Sequence, residues 1–209
     1  KKKIKKNDIA KLLSKNIYGI ELDRGLYLEV INEVNKIIEK YKIEKVDWQF
    51  YNEDMLKWGS TDLFDYIIGN PPYISYRDLD IENREYIRDE FLSCKKGKPD
   101  YCYAFIEKCL SLLKPNGKMV HLVPSNLYKN VFGEDLRNML VEKITVILDF
   151  PSQRLFDKAL TTSSIFLYDN SSSIETVDYF NMTTNEKISL SKKKLSNKWI
   201  FKDLKKSKE

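Results

Sequence analysis

The sequence predicts an α/β fold with a parallel, doubly wound sheet. Short apolar runs typical of buried strands alternate along the chain with longer stretches whose apolar residues recur at helical spacing. The 209 residues are 42% hydrophobic, which is enough for one globular domain with a sizeable core. Distinctive polar side chains follow three of the predicted strands, and such strand ends hold the ligands of open α/β sheets.

The first half of the chain contains three predicted strands. Residues 17–22 form the first, and residues 26–41 follow as a helix because their apolar side chains recur every three or four positions. Residues 46–51 form the second strand, and residues 64–68 form the third, which ends at Asn70. In a parallel sheet, these strands are expected to be covered on both faces.

A polar, charged stretch without a clear period, residues 74–99, is long enough to be a functional loop or lid. An amphipathic helix follows at residues 100–113 and ends at the turn Lys114-Pro115-Asn116-Gly117, where proline and glycine are expected. The later predicted elements are a strand at 118–123, a helix at 134–141, a strand at 144–150, a hairpin arm at 163–168, and a peripheral extension from 170 with a weak strand signal at 177–180.

Charge and hydropathy limit the kinds of partner. Lys and Arg total 36 against 31 Asp and Glu, which gives a net charge of +5. The surplus lies in lysine runs near both ends, so it only mildly favours an anionic partner such as nucleic acid. No apolar run is long enough to span a bilayer, so no membrane role is predicted.

The cysteines and the single histidine give no metal-site pattern. Cys94, Cys102 and Cys109 form no C-x-x-C pair, and His121 is the only histidine, so no zinc site is predicted. An odd number of cysteines predicts reduced thiols in the cytoplasm. Cys102 and Cys109 are expected on one helix face as small core residues. His121 is expected to be a core or strand residue with satisfied hydrogen bonds.

Carboxylates follow the first two predicted strands. Glu21 ends the first strand and can accept hydrogen bonds from both hydroxyls of a ribose, a role that needs a carboxylate. Asp54 follows the second strand and can accept from an adenine exocyclic amine, with Leu22 and Met55 as apolar surfaces for the ring. Each carboxylate alone is more typical of a helix cap or a solvated loop, and the third strand end favours the binding interpretation.

The stretch Gly69-Asn70-Pro71-Pro72-Tyr73-Ile74 follows the third strand. Two consecutive prolines stiffen the backbone and hold the Asn70 amide and the Tyr73 ring in fixed directions. The Asn70 side-chain oxygen and the Pro71 carbonyl can accept the hydrogens of an exocyclic amine, which localises its lone pair for attack. Tyr73 would stack on the flat acceptor. The alternative is a rigid loop with a solvated asparagine and a half-buried tyrosine.

Taken in order, these segments resemble a known family, the N6-adenine DNA methyltransferases of restriction-modification systems. The matching segments are IYGIELD, NEDMLKW, GNPPYI, PDYCYAFIEKCLSLLKPNGK with MVHLVPSN, and LDFPSQRLFDKALTTSSIFLYD. The resemblance is to the Eco57I-like branch, in which methylase and endonuclease are often fused, and it covers residues 17–168. It implies a Rossmann-like S-adenosylmethionine-dependent methyltransferase sheet with a small C-terminal extension.

The resemblance also implies a cofactor site. Glu21 would bind the ribose of S-adenosylmethionine, and Asp54 would bind its adenine amine. Leu22, Met55 and Phe105 would lie nearby. No metal is implied.

For the target base, the resemblance assigns Asn70, Pro71 and Pro72 to the turn that holds the reacting amine. Tyr73 and Phe156 would stack on the two faces of an adenine flipped out of double-stranded DNA. A base reached in this way must leave the duplex, which explains stacking rings in the pocket. The polar stretch after the turn would border the DNA channel.

The chain departs from the family at its start. Relatives carry a glycine-rich turn for the methionine part of the cofactor, whereas residues 1–16 contain no glycine and begin with Lys. We therefore expect a truncated chain that is incomplete at the N-terminus, lacks most of a downstream target-recognition domain, binds cofactor poorly and is inactive. The expected organisation is a basic lead-in (1–16), a methyltransferase core fragment (17–169) and an extension or linker (170–209).

Other function classes stay open at this point. A release-factor glutamine methyltransferase or an RNA base methyltransferase uses a related Asn-Pro-Pro-Tyr turn, but these usually have a shorter excursion after it. A non-catalytic nucleic-acid-binding scaffold would keep the fold without the chemistry, and the missing cofactor turn is its best support. The intact set of Glu21, Asp54, Asn70 and Tyr73 favours an enzyme, since a decayed site is free to lose them.

Overall fold

The computed structural model describes residues 6–151, 162–195, 198–199 and 201. The chain divides into two units: the first unit ends at Ser60 and the second unit begins at Thr61. The α/β class is confirmed, but the strands form a two-stranded and a six-stranded sheet instead of one. Among the described residues, the first two predicted strands pair with each other, and the third predicted strand pairs in the larger sheet.

From residue 6 onward, the first unit is described as two helices and two strands. In chain order they are α1 (Lys6–Asn16), β1 (Tyr18–Ile20), α2 (Arg24–Lys40) and β2 (Gln49–Tyr51). β1 and β2 pair in parallel, so their carboxyl ends lie side by side. α1 lies in the basic lead-in, where no helix is predicted.

Helix α2 confirms the predicted helix and begins at a cap. The Leu26 backbone N–H donates to the Asp23 side chain at 2.9 Å, which satisfies one of the free amides of the first turn. Ile38 is the buried residue of this helix, whereas Leu26 and Ile37 are 52% and 54% exposed. The core of the first unit is formed by Ala10, Ile38 and Val46, with Leu13, Ile43 and Trp48 packed against them.

Six strands form the sheet of the second unit. They are β3 (Phe64–Gly69), β4 (Leu113–Pro124), β5 (Ile144–Phe150), β6 (Ser163–Asp169), β7 (Thr176–Asn181) and β8 (Glu186–Ser191). Their spatial order is β3-β4-β6-β5-β7-β8. β3 pairs with β4 and β5 pairs with β7 in parallel, while the other neighbours are antiparallel. The expectation of a parallel sheet is therefore wrong, because β6 returns antiparallel between β4 and β5.

Strand β3 is the outermost strand at one edge of this sheet. Tyr66 and Ile68 point to the same face of the strand and are 73% and 85% exposed. The prediction of a strand is confirmed here, whereas the expectation that it is covered on both faces is not met at Tyr66 and Ile68, because both side chains are largely exposed.

The C-terminal extension joins the sheet. The weak strand signal at residues 177–180 is confirmed as β7, whereas β8 has no counterpart among the predicted elements. Asn185 adopts a left-handed φ of 54° in the short turn between them, and such a turn permits only antiparallel pairing. The Lys187 ammonium lies 2.8 Å from the Asp178 carboxylate across the two strands.

The described residues of the second unit form the α-helices α3 (Ile81–Glu90), α4 (Cys102–Ser111) and α5 (Glu134–Leu140). α4 and α5 confirm predicted helices. α3 corrects the prediction of an irregular stretch, and its first turn is capped by Asp80, which accepts from the Asn83 backbone N–H at 2.7 Å. Ile87 is its one buried residue, so the apolar period that would reveal this helix is too weak to read.

The three cysteines are free and buried. Cys102 and Cys109 lie buried on α4, which confirms their predicted place. Burial raises the pKa of Cys94 and of Cys109 to about 12, so both thiols stay protonated.

Within the described ranges, no helix combines the length and apolar character needed to cross a membrane, and no group of three or more potential ligand residues could hold a metal ion.

Candidate active site

The Asn70–Tyr73 turn lies at the carboxyl end of β3. Asn70 is exposed, Pro71 is buried, and Pro72 and Tyr73 are half-buried. Just beyond the turn, the Ile74 carbonyl accepts a hydrogen bond from the Tyr101 backbone N–H at 3.0 Å. The turn is thus held by the sheet on one side and by the start of α4 on the other, while Asn70 is exposed.

Gly69, the residue before the turn, packs against a buried histidine. It pairs with His121 on β4, and a Cβ placed on Gly69 would stand 2.8 Å from the imidazole Nε2. His121 is a core strand residue as predicted, but neither ring nitrogen has a hydrogen-bond partner in the described part of the chain. The prediction of satisfied hydrogen bonds is therefore wrong. Burial lowers the pKa of His121 to about 4, so the ring is neutral near pH 7.

Tyr73 directs its hydroxyl inward. The hydroxyl oxygen is buried and makes no hydrogen bond to the described residues. The Ser163 hydroxyl is close enough to act on it, but the two groups are not in hydrogen-bond geometry. Burial raises the pKa of Tyr73 to about 12, with a smaller opposite effect from Ser163. Tyr73 therefore stays neutral, and its half-buried ring can offer an apolar surface to a flat ligand.

A buried polar cluster lies behind the ends of β4, β5 and β6. The Asp149 carboxylate accepts hydrogen bonds from the Ser125 and Tyr179 hydroxyls, each at 2.7 Å. The Tyr128 hydroxyl pairs with the Ser164 hydroxyl at 2.8 Å. These contacts hold the segment after β4 in place. The Asp149 carboxylate therefore has a structural role.

In the first unit, Glu21 and Asp54 follow the neighbouring ends of β1 and β2. The Glu21 backbone N–H donates to the Tyr51 carbonyl at 3.0 Å and extends the ladder by one residue. The Asn52 side-chain amide donates to the carbonyls of Glu21 and Leu22, each at 2.9 Å. Asn52 therefore joins the two strand ends.

Each of these carboxylates also stabilises its own turn. Glu21 accepts from the Asp23 backbone N–H at 2.9 Å, and Asp54 accepts from the Leu56 backbone N–H at 2.9 Å. A carboxylate has two oxygens and about four acceptor positions, so these single bonds leave capacity for a ligand. Leu22 is 68% exposed and Met55 is half-buried beside them. Such a surface suits a ligand with both hydroxyl groups and an apolar ring.

The structure places the remaining predicted residues as follows. Phe105 is half-buried on α4, where its ring packs edge-on against Tyr101 with a centroid distance of 5.3 Å. Phe156 lies outside the described residues. Two residues were missed by sequence reasoning: Asn52, for which an asparagine directly after a strand is the available signal, and Ser163, for which the sequence offers none.

Comparison with known proteins finds restriction-modification methyltransferases among the relatives of this chain. The model of the Eco57I restriction-modification methylase family matches residues 1–156. The type II methyltransferase M.AccI of Acinetobacter calcoaceticus is 27% identical over 185 residues, which cover 83% of this chain and 32% of that protein. The type II restriction enzyme and methyltransferase RM.Eco57I of Escherichia coli is 31% identical over 153 residues, which cover 64% of this chain and 15% of that protein. The chain thus spans about a third or less of the length of these relatives.

Solved structures share the fold. A Listeria monocytogenes protein assigned to the class I S-adenosylmethionine-dependent methyltransferases gives a TM-score of 0.56 at 19% identity, over 84% of this chain and 63% of that chain. The DrdV-DNA complex gives a TM-score of 0.66 at 14% identity, over 86% of this chain and 22% of that chain. The fold is therefore that of the class I S-adenosylmethionine-dependent methyltransferases, as the sequence predicts.

Proposed function

Because the chain belongs to the Eco57I restriction-modification methylase family, we propose that the protein transfers a methyl group from S-adenosylmethionine to N6 of adenine in DNA. The adenine is flipped out of the duplex for the reaction. An endonuclease, on the same chain or on a separate one, completes the restriction-modification system. This substrate implies a cytoplasmic location.

The observation that carries the proposal is the geometry of the Asn70–Tyr73 turn. Its exposed amide stands at the carboxyl end of a strand, next to a buried proline and a half-buried ring. An exocyclic amine is a weak nucleophile because its lone pair is delocalised into the ring. The Asn70 side-chain oxygen and the Pro71 carbonyl can accept the two amine hydrogens and so localise the lone pair as bonding changes.

Residues of the first unit fit the proposed cofactor. Glu21 accepts from the ribose hydroxyls and Asp54 accepts from the adenine amine, since both carboxylates retain free acceptor capacity. Leu22 and Met55 supply apolar contacts, and Phe105 is assigned to the same cofactor by the family resemblance. When bound, S-adenosylmethionine supplies an electrophilic methyl carbon. The chain contributes binding, orientation and amine activation.

Stacking positions the target base. Tyr73 offers one ring surface, and Phe156 is proposed for the opposite face. Stacking on an aromatic ring offsets part of the cost of unpairing a base, on the order of 1–3 kcal/mol. The similarity in fold to the DrdV-DNA complex supports DNA as the substrate.

The test is a labelling experiment with the protein produced from its complete coding sequence. It is incubated with radiolabelled S-adenosylmethionine and, separately, with unmethylated genomic DNA, RNA and protein. We expect label in DNA, recovered as N6-methyladenine after nuclease digestion. Label in a protein glutamine or in RNA would move the acceptor, and no label in any fraction would favour a non-catalytic scaffold.

A further inference from the structure

We propose that Ser163 is a positioning residue for Tyr73: its hydroxyl anchors the Tyr73 hydroxyl and thereby fixes the plane of the ring that stacks on the target base. The expected effect on methyl transfer rests on the proposed function. The contact itself involves only two residues of the second unit and does not depend on that function. Neither the family resemblance nor the sequence pattern assigns a role to Ser163.

The first argument is that two neighbouring hydroxyls are buried without partners. The oxygens of Tyr73 and Ser163 are both buried and make no hydrogen bond to any described residue. A buried hydroxyl without a partner is costly, so a state in which the two bond to each other is favoured. The Ser163 hydroxyl lies near the tyrosine oxygen, so one hydrogen bond between the two groups would satisfy both.

The second argument is that the surroundings leave Ser163 as the suitable partner. Cys102 and Tyr128 also lie close enough to Tyr73 to interact with it electrostatically. The Tyr128 hydroxyl is already paired with Ser164 at 2.8 Å, and a thiol such as that of Cys102 is a weak hydrogen-bonding group. Ser163 therefore offers the stronger free acceptor and donor for the tyrosine.

The third argument is that Ser163 occupies a rigid position. It is the first residue of β6 and pairs with Pro124 on one side and Phe150 on the other. Just before it, the Thr162 carbonyl accepts from the Ser125 backbone N–H at 3.0 Å. An anchor on a strand between two others holds its partner more precisely than an anchor on a loop.

A tyrosine held at its hydroxyl end has less rotational freedom about its χ1 and χ2 bonds than a free ring has. The stiff proline turn fixes the backbone end of Tyr73, and Ser163 would fix the far end. The ring face is then preorganised to receive a flipped base, and the reacting amine stays aligned with Asn70.

The experiment is a double-mutant cycle on the protein made from its complete coding sequence. The variants are Tyr73→Phe, Ser163→Ala and the double variant, and the readout is the single-turnover methylation rate on unmethylated genomic DNA. Each single change is expected to slow transfer about fivefold, which corresponds to the loss of one net hydrogen bond. The double variant is expected to be no slower than either single variant. The KM for S-adenosylmethionine should not change.

The matched control is Ser164→Ala, which removes a buried hydroxyl from the next residue of the same strand. When Ser164→Ala is combined with Tyr73→Phe, the two reductions in rate should multiply, because Ser164 is bonded to Tyr128. Multiplicative losses for Tyr73→Phe with Ser163→Ala, or wild-type rates for either single variant, would overturn the inference. If the wild type methylates no adenine, the proposed function fails, and the same cycle measured in free energies of unfolding still tests the contact.

Discussion

Gly69 and His121 lie opposite each other on β3 and β4, so close that a Cβ on the glycine would stand 2.8 Å from the imidazole Nε2. This contact places a rigid, neutral ring directly beneath the residue that precedes Asn70. The position of the exposed amide therefore depends on the absence of a side chain one residue earlier.

Replacement of Gly69 tests this close approach. Gly69→Ala should lower the free energy of unfolding by about 1–3 kcal/mol, because the added methyl overlaps a ring that is 2% exposed and cannot move freely. Urea denaturation measures the change. Gly59→Ala is the matched control, since a Cβ there meets nothing within 4 Å and should leave stability nearly unchanged. Equal effects of the two substitutions would contradict the packing argument.

The buried His121 predicts a pH dependence of stability. Its pKa is about 4 in the folded protein against an ordinary value of 6.5, so below pH 6.5 the unfolded chain takes up a proton that the folded protein excludes. The free energy of unfolding should therefore fall as the pH drops from 6.5 to 4, by about 3 kcal/mol from this group.

The comparison with His121→Leu isolates this contribution, because His121 is the only histidine and the carboxylates titrate in both proteins. Denaturation at pH 7 and at pH 4 should show a smaller loss for the variant. The same loss in both proteins would show that the imidazole is hydrated or paired.

The amide of Asn70 is predicted to act on the reacting amine and not on the cofactor. Asn70→Ala should therefore remove most methyl transfer, by about 100-fold or more, and leave the Kd of S-adenosylmethionine unchanged. Filter binding of labelled cofactor and single-turnover transfer separate the two quantities. Asn138→Ala, an exposed asparagine on α5, is the control. Transfer at the wild-type rate in Asn70→Ala would remove the basis of the assignment.

The Tyr73 ring is predicted to capture the flipped base. Tyr73→Ala should weaken productive DNA binding by about 1–3 kcal/mol, with little change in cofactor affinity. Fluorescence of 2-aminopurine at the methylated position reports base extrusion directly. Tyr66→Ala removes a tyrosine that is 73% exposed on β3 and should have no such effect. Wild-type extrusion and turnover on matched duplex in Tyr73→Ala would refute the stacking role.

Asn52 is predicted to hold the cofactor-binding carboxylates of Glu21 and Asp54 in place, because it joins the ends of β1 and β2. Asn52→Ala removes two hydrogen bonds to the carbonyls of Glu21 and Leu22, so the Kd of S-adenosylmethionine should rise about tenfold. Isothermal titration calorimetry on the complete protein measures it. Asn32→Ala, on the exposed surface of α2, should bind as the wild type does.

The sequence by itself determined the α/β class, most strands and helices, and the position of the Asn-Pro-Pro-Tyr turn directly after a strand. These features follow from local chemistry, since apolar period and proline stiffness act over a few neighbouring residues. It missed α3, whose single buried residue Ile87 leaves no readable period, and β8, which is polar along most of its length. The hairpin arm predicted at residues 163–168 is confirmed as β6, which pairs antiparallel with β5, but its place between β4 and β5 was not predicted.

Only the tertiary structure decided which side chains meet. His121 lies against Gly69, the Ser163 hydroxyl lies near that of Tyr73, and Asn52 joins two strand ends. The first two contacts join residues more than 50 positions apart in the sequence. Such contacts depend on strand order and register, which distant pairing sets, and a single sequence carries no direct signal for them.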